Sequence, residues 1–383
     1  MTPMITVCEK DMCAGCMACL EKCPKHCISI VDSLHAYNAV IDEDQCTHCN
    51  ACHNVCQANH QPIALPPQLW REGWATDQEV RGRSSSGGFA CAIEKAFVAA
   101  GGLVCSCAFK EGTFGFAFAE TAEDIAQFVG SKYVKSNPAG IYQRISKELK
   151  GGRKVLFVGL PCQAAALINF VGKKLAEDLY TIDLICHGTP SPKILEQFLQ
   201  QHKTDIKQLK HISFRSKAKF HVKGDAKFFA PRGTMDKYSI AFLNGISYTD
   251  NCYACHYAKR ERVTDLTIGD NWGSDLSVDE LRKGVSLVLC QTDKGKELLD
   301  QAPLVLREVD VEKAAARNEQ LNHPYIQPAQ RQRFFQVIEQ GGSLDAVVWK
   351  IFPKTCFRQF VKGVLIKAKI MGGGKINYCL SVR

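Results

Sequence analysis

Eight cysteines near the N-terminus limit what this chain can fold into more than any other feature. They form two runs with identical spacings of three, three and four residues: Cys13, Cys16, Cys19 and Cys23, then Cys46, Cys49, Cys52 and Cys56. Each cysteine of the first run recurs 33 residues later, so the segment is an internal repeat. Three cysteines at steps of three wrap a tight loop around one corner of a cubic iron–sulfur cluster, whereas zinc sites use two separated pairs. The spacing therefore predicts two four-iron clusters.

The same run of cysteines is typical of bacterial two-cluster ferredoxins, in which the fourth cysteine of each run binds the other cluster. One cluster is then predicted to bind Cys13, Cys16, Cys19 and Cys56. The other is predicted to bind Cys46, Cys49, Cys52 and Cys23. Cys8 and Cys27 align with Ile41 and His60 in the repeat, so neither is predicted to be a ligand. We assign residues 1–64 to an α+β ferredoxin-like module.

The composition indicates a globular protein whose thiols stay reduced. Hydrophobic residues make up 46% and charged residues 23% of the chain, which is the balance of an ordinary folded domain. The longest mainly apolar run, residues 96–109, is shorter than the roughly 18 residues that a membrane span needs. The first residues lack the basic and apolar regions of a secretory signal. These features predict a cytoplasmic protein whose 20 cysteines bind metal more readily than they form disulfides.

The net charge does not by itself indicate a nucleic-acid partner. The formal charge is +9, but an oxidised four-iron cluster with four thiolates carries about −2, so three clusters would leave about +3. We therefore predict no nucleic-acid binding. The remaining charge suits a modest basic patch that docks an acidic partner protein.

Prolines and a change in charge divide the rest of the chain. Pro62, Pro66 and Pro67 favour stiff, extended chain, so we place a boundary near residue 65 and a linker over residues 65–80. Residues 81–340 then form an α/β core. Residues 341–383 form a basic helical extension, with the glycines at 372–374 ending its helix. Such a tail either touches a membrane surface or packs on its own domain; we expect the second and no membrane contact.

Two polar loops at the start of the core are candidates for binding a cofactor. The first consists of Arg83, Ser84, Ser85, Ser86, Gly87 and Gly88. It precedes a helical pattern with Phe89, Ile93 and Phe97 on one face. Free N–H groups, hydroxyls and a helix N-terminus suit a pyrophosphate, although a plain helix cap has the same composition. The second loop, Gly130, Ser131, Lys132 and Tyr133, lies either near a flavin or phosphate or simply on the surface.

Four further cysteines form a candidate third metal site. Cys162 and Cys186 each follow an apolar strand, at residues 154–158 and 180–185, and each precedes a helix. Such units imply a parallel sheet, at whose carboxyl edge ligands bind. Cys252 and Cys255 form a C-x-x-C pair, so the four thiolates complete either a third four-iron cluster or a zinc site.

At this point the chain resembles the coenzyme F-420 hydrogenase/dehydrogenase beta-subunit family over residues 1 to about 355. The resemblance rests on residues 84–88, 130–134, 154–163, 186–188 and 269–273 and on the Cys252–Cys255 pair. It implies an α/β core that binds FAD, through residues 83–88 and 130–133, and one four-iron cluster, through Cys162, Cys186, Cys252 and Cys255. The module at residues 1–64 resembles the fused ferredoxin of some members. Leu160 stands where the family often has threonine.

The combined features favour an iron–sulfur flavoprotein oxidoreductase with three four-iron clusters and FAD. Clusters move single electrons, and a flavin collects two and delivers hydride. Lys132 is expected to stabilise an anionic reduced flavin; no catalytic residue is assigned. The family implies a redox partner protein, either ferredoxin or a reductase or hydrogenase subunit, and a link to the deazaflavin coenzyme or to ferredoxin. The alternatives are a non-catalytic electron-transfer subunit and a structural zinc protein with a ferredoxin appendage.

Overall fold

The computed structural model describes residues 5–370. Its strands are β1 (Ile28–Asp32), β2 (Tyr37–Ile41), β3 (Leu69–Ala75), β4 (Leu103–Lys110), β5 (Thr113–Ala119), β6 (Val155–Gly159), β7 (Leu179–Leu184), β8 (Ile212–Ser216), β9 (Lys219–Gly224), β10 (Lys227–Phe228), β11 (Leu266–Asp270), β12 (Ser286–Cys290) and β13 (Leu304–Arg307).

The α-helices are α1 (Ala18–Lys22), α2 (Ala51–Val55), α3 (Gln78–Arg83), α4 (Phe89–Ala99), α5 (Ile141–Lys150), α6 (Pro161–Val171), α7 (Pro192–Gln201), α8 (Lys237–Leu243), α9 (Val278–Lys283), α10 (Asp293–Gln301), α11 (Val311–Ala316), α12 (Arg331–Glu339), α13 (Leu344–Ile351) and α14 (Pro353–Lys367). Short 3-10 helices lie at Asp124–Phe128, Lys173–Leu175, Ile206–Gln208, Asp250–Cys252 and Glu319–Leu321.

The chain is a mixed α/β protein built around an eight-stranded sheet with the order β13-β3-β12-β11-β7-β6-β4-β5. The strands β4, β6, β7 and β11 are parallel, as the strand–loop–helix units predict. The outer strands are antiparallel, so the sheet is mixed rather than parallel. One reason is local: Glu111 and Gly112 both have positive φ, and a two-residue turn of that kind closes a hairpin between β4 and β5.

Strand β3 corrects the expected linker over residues 65–80. Leu69–Ala75 lies within the sheet, paired with both β12 and β13. The prolines at 62, 66 and 67 precede the strand, so every N–H group within it is free to donate to the ladder. Leu65 also exchanges two backbone hydrogen bonds with Arg262, at 2.7 and 3.0 Å. This part of the chain therefore belongs to the core.

The N-terminal module is ferredoxin-like and repeats its helices as it repeats its cysteines. Strands β1 and β2 pair in antiparallel fashion. Helices α1 and α2 occupy equivalent positions in the two halves, and each follows a residue with left-handed backbone, Met17 and Asn50. The module shares one apolar core with α5 and α6, in which Tyr142 and Leu167 pack with the buried cysteines. The module is therefore a packed part of the molecule.

The C-terminal helices pack on α8 and the three-stranded sheet β10-β9-β8. Helix α13 contributes Leu344, Val347 and Val348 to this second core. Helix α14 follows it and buries Cys356 and Gly363. The glycines at 372–374, expected to end the helix, lie outside the described residues. Among residues 5–370, no helix has the length and apolar character needed to cross a membrane.

A buried ion pair fixes the segment before β11 onto β7. Arg262 and Asp183 are 2% and 0% exposed, with Nε and Oδ2 3.3 Å apart. Arg262 also donates to the carbonyl of Leu184 at 2.7 Å and to that of Tyr257. One guanidinium therefore connects the end of β7 with the loop that carries Cys252 and Cys255.

We expect Arg262→Met to lower the free energy of unfolding by about 3–5 kcal/mol, because it leaves the Asp183 carboxylate buried without its partner. Urea denaturation measures the change. The double variant Asp183→Asn, Arg262→Met should recover part of the loss, since neither charge then remains. A single variant that unfolds at the same urea concentration as the parent chain would contradict this assignment.

Candidate metal centres and anion site

The first thiol group consists of Cys13, Cys16, Cys19 and Cys56. These four cysteines line one small cavity, together with Cys8 and apolar side chains. Cys56 belongs to the second run of the repeat, so the structure brings together the four residues that the crossed pattern predicts for one cluster. Burial raises the pKa of Cys16 and Cys19, and the neighbouring thiols raise it further.

Cys8 is a member of this cavity wall that the repeat did not identify. Its thiol is a hydrogen-bonding neighbour of the Cys13 and Cys56 thiols. This interaction is the main reason that the pKa of Cys56 falls to about 6 and that of Cys13 lies below its usual value. Alignment with Ile41 correctly placed Cys8 in an apolar environment, but the repeat carries no signal for its contact with two thiols.

The second thiol group consists of Cys23, Cys46, Cys49 and Cys52. Burial raises the pKa of Cys52, with a further contribution from the nearby Cys23 and Cys46. Cys49 is exposed on the loop between Cys46 and Cys52. The Sγ atoms of Cys23 and Cys27 lie 3.5 Å apart, so Cys27 is also a neighbour of this group. The second group therefore faces the protein surface, whereas the first is buried.

The core thiol group consists of Cys162, Cys186, Cys252 and Cys255. Cys162 lies in the first turn of α6, and Cys186 follows β7 at the carboxyl edge of the sheet. Burial raises the pKa of Cys162, Cys186 and Cys255, and the other thiols of the group add to the increase. The fold thus brings together two strand ends and the distant C-x-x-C pair.

Each group has the donor set that a thiolate-bound four-iron cluster requires. Backbone N–H groups of Gly15, His48 and Thr189 point at Sγ of Cys13, Cys46 and Cys252, each at 3.4 Å. Such hydrogen bonds to sulfur tune cluster potentials. Within residues 5–370, no three Cys, His, Asp or Glu side chains converge closely enough for a single metal ion. The thiols of the first group instead face one another across the cavity.

Three buried side chains lie between the first and core thiol groups. Lys135 is 3% exposed, and its Nζ donates to the carbonyl of Ala14 at 3.1 Å. Tyr142 donates to the carbonyl of Cys16, and Tyr257 donates to Oε1 of Gln57 at 2.6 Å. Ionisation of Cys16 raises the pKa of Cys162, so the two groups are electrostatic neighbours.

The two polar loops predicted to bind a cofactor meet in the structure. The backbone N–H of Ser131 donates to Oγ of Ser85 at 3.0 Å. Gly87 donates to Oγ of Ser286 at 3.0 Å, and Gly88, with φ 91°, precedes α4. Arg83 points away, toward Glu79 on the exposed side of α3.

Lys132 is directed into the protein rather than toward open space. Its Nζ donates to the carbonyl of Phe128 at 2.5 Å, and the side chain is a neighbour of buried Glu94 and Cys107. Burial lowers the pKa of Lys132 and raises that of Glu94 to about 8. The Lys132 ammonium is therefore held by the carbonyl of Phe128 and lies near Glu94 and Cys107.

Cations from another part of the chain complete this loop region. Arg215 donates to both carboxylate oxygens of Asp270, at 2.6 and 2.9 Å, and to the carbonyl of Ser85 at 2.9 Å. Lys217 donates to the carbonyls of Arg81 and, at 2.9 Å, Ser86. Asp270 lies in a segment that the sequence singled out, but no local pattern marks Arg215 or Lys217, which reach the loop from β8 and the following turn.

Comparison with known proteins identifies two regions of this chain. Residues 9–70 match the family described as 4Fe-4S dicluster domain. Residues 152–313 match the family described as the C-terminal part of the coenzyme F420 hydrogenase/dehydrogenase beta subunit. The two matches confirm the resemblance drawn from the sequence, including the fused iron–sulfur module.

One solved structure similar to this chain comes from the F420-reducing NiFe hydrogenase complex of Methanosarcina barkeri. The TM-score is 0.48 and the identity 18%, over 69% of this chain and 97% of that chain. None of the curated proteins compared with the sequence matches it.

We expect Cys56→Ser and Cys13→Ser to remove the same cluster, although the two residues belong to different runs. Each variant should lose about four iron atoms per chain and the same electron paramagnetic resonance signal. Cys91→Ser, on α4, is the matched control and should keep the full iron content. Loss of two different signals in the two cluster variants would show that the runs do not cross.

Proposed function

We propose that this chain, a member of the coenzyme F420 hydrogenase/dehydrogenase beta-subunit family with a fused 4Fe-4S dicluster domain, is an iron–sulfur flavoprotein oxidoreductase. The observation that carries the proposal is the spatial order of the sites. The second thiol group lies at the surface, the first group and the core group lie inside, and the serine–glycine loop has cations beside it. Four-iron clusters held there would move single electrons, and FAD would exchange them for a hydride.

The thiol groups are arranged so that electrons would pass inward from the second group. Cys49 is exposed, which gives a redox partner protein access to this end of the module. Cys19 is a neighbour of Cys52 from the second group, and Cys16 is a neighbour of Cys162 in the core group. Each group thus adjoins the next, and the shared apolar core keeps them in that order.

The serine–glycine loop, residues 83–88, is the proposed site for the FAD pyrophosphate. Ser85 and Ser86 supply hydroxyls, and α4 begins directly after Gly88. Arg215 and Lys217 bring two positive charges to the same loop. Anions bind where N–H groups, a helix N-terminus and cations meet. Asp270 neutralises Arg215, so Lys217 supplies the charge without an acidic partner in its hydrogen bonds.

The second candidate is a non-catalytic electron-transfer subunit, which the surface position of Cys49 also favours. Turnover by the isolated holoprotein separates the two. We expect the anaerobically purified chain to pass electrons between reduced ferredoxin and a hydride acceptor such as a nicotinamide or a deazaflavin. If electrons reach the clusters but no two-electron acceptor is reduced without a further subunit, the second candidate is correct.

We expect FAD to bind the flavin-free protein more weakly as the pH rises through about 8. Burial, with repulsion from Arg81 and Arg215, lowers the pKa of Lys217 to about 8. Its ammonium is therefore present below that pH and lost above it, together with its attraction for the pyrophosphate. Titration of flavin fluorescence from pH 6.5 to 9.5 measures the dissociation constant.

The matched variant for this pH dependence is Lys217→Met. It should bind FAD about tenfold more weakly at pH 7, a difference of about 1.4 kcal/mol, and should show a flat profile across pH 8. Lys219→Met, two residues further along the same hairpin, is the control and should keep the parent profile. The same pH dependence in Lys217→Met and in the parent chain would contradict the role of Lys217.

Lys135 is expected to raise the reduction potentials of the first and core clusters. Its buried positive charge favours the more negative, reduced form of both. Lys135→Gln should therefore shift both midpoint potentials to more negative values in a titration followed by electron paramagnetic resonance. Lys135→Arg should restore them, and Lys150→Gln on the exposed face of α5 should change neither. Unchanged potentials in Lys135→Gln would show that the charge has no such effect.

A further inference from the structure

We propose that α14 is a membrane-surface helix, which rests its outer face on anionic phospholipid head groups. This inference does not depend on the redox function. Phe357 and Phe360 are 60% and 58% exposed, and Val361 and Val364 are also exposed. The four positions follow the i, i+3, i+4, i+7 pattern of one helical face. A continuous apolar stripe therefore lies on the outside of the molecule.

The contacts of α14 with the rest of the chain hold this stripe outward. Cys356 and Gly363 are the buried residues of the helix. At Gly363 a Cβ atom would lie 3.3 Å from Cγ of Pro231, so the helix packs closely there. Gln359 accepts a hydrogen bond from the backbone of Met235 at 3.0 Å. The helix is thus anchored through one side, and Phe357 and Phe360 project from another.

The positive charge of α14 and the residues that flank it indicates an anionic partner. Residues 346–383 contain no aspartate or glutamate and carry eight cations: Lys350, Lys354, Arg358, Lys362, Lys367, Lys369, Lys375 and Arg383. Each lysine or arginine near an anionic bilayer adds to the electrostatic attraction between the protein and the lipid head groups. An apolar stripe with aromatic side chains beside such cations is typical of helices that lie in the interfacial plane of a bilayer.

Two observations favour a lipid surface over an acidic protein. Lysine is depleted at protein–protein interfaces, yet Lys350, Lys354, Lys362, Lys367 and Lys369 outnumber Arg358 among the described cations of this region. Trp349 of α13, which is itself exposed, also borders the stripe, with its ring centroid 6.4 Å from that of Phe360, and tryptophan is enriched at membrane–water interfaces. This proposal differs from the expectation of no membrane contact drawn from the sequence. The sequence placed the aromatic residues on a helix but did not show that they face outward.

Co-sedimentation of the full chain with vesicles tests the proposal. Binding is expected to vesicles of phosphatidylcholine with about 30% phosphatidylglycerol and not to phosphatidylcholine alone, because the cations need an anionic surface. Binding should weaken at about 0.5 M salt, where charges are screened. The double variant Phe357→Ser, Phe360→Ser should lose most of the bound fraction.

The matched control removes two apolar side chains that are exposed elsewhere. Val278 and Ile326 are 53% and 77% exposed, and Val278→Ser, Ile326→Ser should bind vesicles as the parent chain does. Thermal unfolding of each variant confirms that the fold is kept. Equal binding by the Phe357, Phe360 variant, or no binding of the parent chain to anionic vesicles, would overturn the proposal. The second result would leave an acidic protein as the occupant of this face.

Discussion

The packing of the N-terminal module against α5 and α6 is the interaction on which the rest of this structure depends. Tyr142 from α5 and Leu167 from α6 share one apolar core with Cys16 and its neighbours. Because that core is continuous, the first and core thiol groups stay next to each other instead of belonging to separately moving domains. The order of the proposed electron path follows from this packing rather than from any single cysteine.

The junction is also polar at defined points. Lys135 reaches from the core to the loop that carries Cys13 and Cys16, and its own backbone N–H donates to Pro190 at 2.9 Å. Gly15 permits this approach: a Cβ atom there would lie 2.7 Å from Tyr37 and 3.0 Å from Lys135, and its φ of 68° favours glycine. A buried ammonium is costly unless it is paired, so its place beside two thiol groups is consistent with their carrying negative charge.

The cysteine groups were predictable from the sequence because their spacing is a local property with a chemical reason. The repeat of Cys13 at Cys46, and the strand ends before Cys162 and Cys186, place these thiols without knowledge of the tertiary structure. Strand β3 was not predictable in the same way, because nearby prolines hid a segment whose partners, β12 and β13, lie more than 200 residues away. The contact of Arg215 with Ser85 and the outward face of Phe357 likewise depend on packing between distant segments. The sequence therefore identified the candidate metal ligands through local motifs. The contacts of Arg215 and the exposure of Phe357 became visible only in the folded structure.

The proposed function joins two kinds of chemistry at the carboxyl edge of the sheet. Cys162 and Cys186 follow β6 and β7 there, and Asp270 ends β11 and holds Arg215 against the serine–glycine loop. A single edge thus presents thiols for one-electron transfer and cations for an anionic cofactor, in agreement with the general location of ligand sites in open α/β sheets. The measurement that tests this most directly is the quantification of iron, sulfide and flavin in one anaerobically purified sample. Three clusters and one flavin predict about 12 iron, about 12 sulfide and about one FAD per chain. About eight iron without flavin would contradict the proposal and leave only the ferredoxin-like module as a redox site.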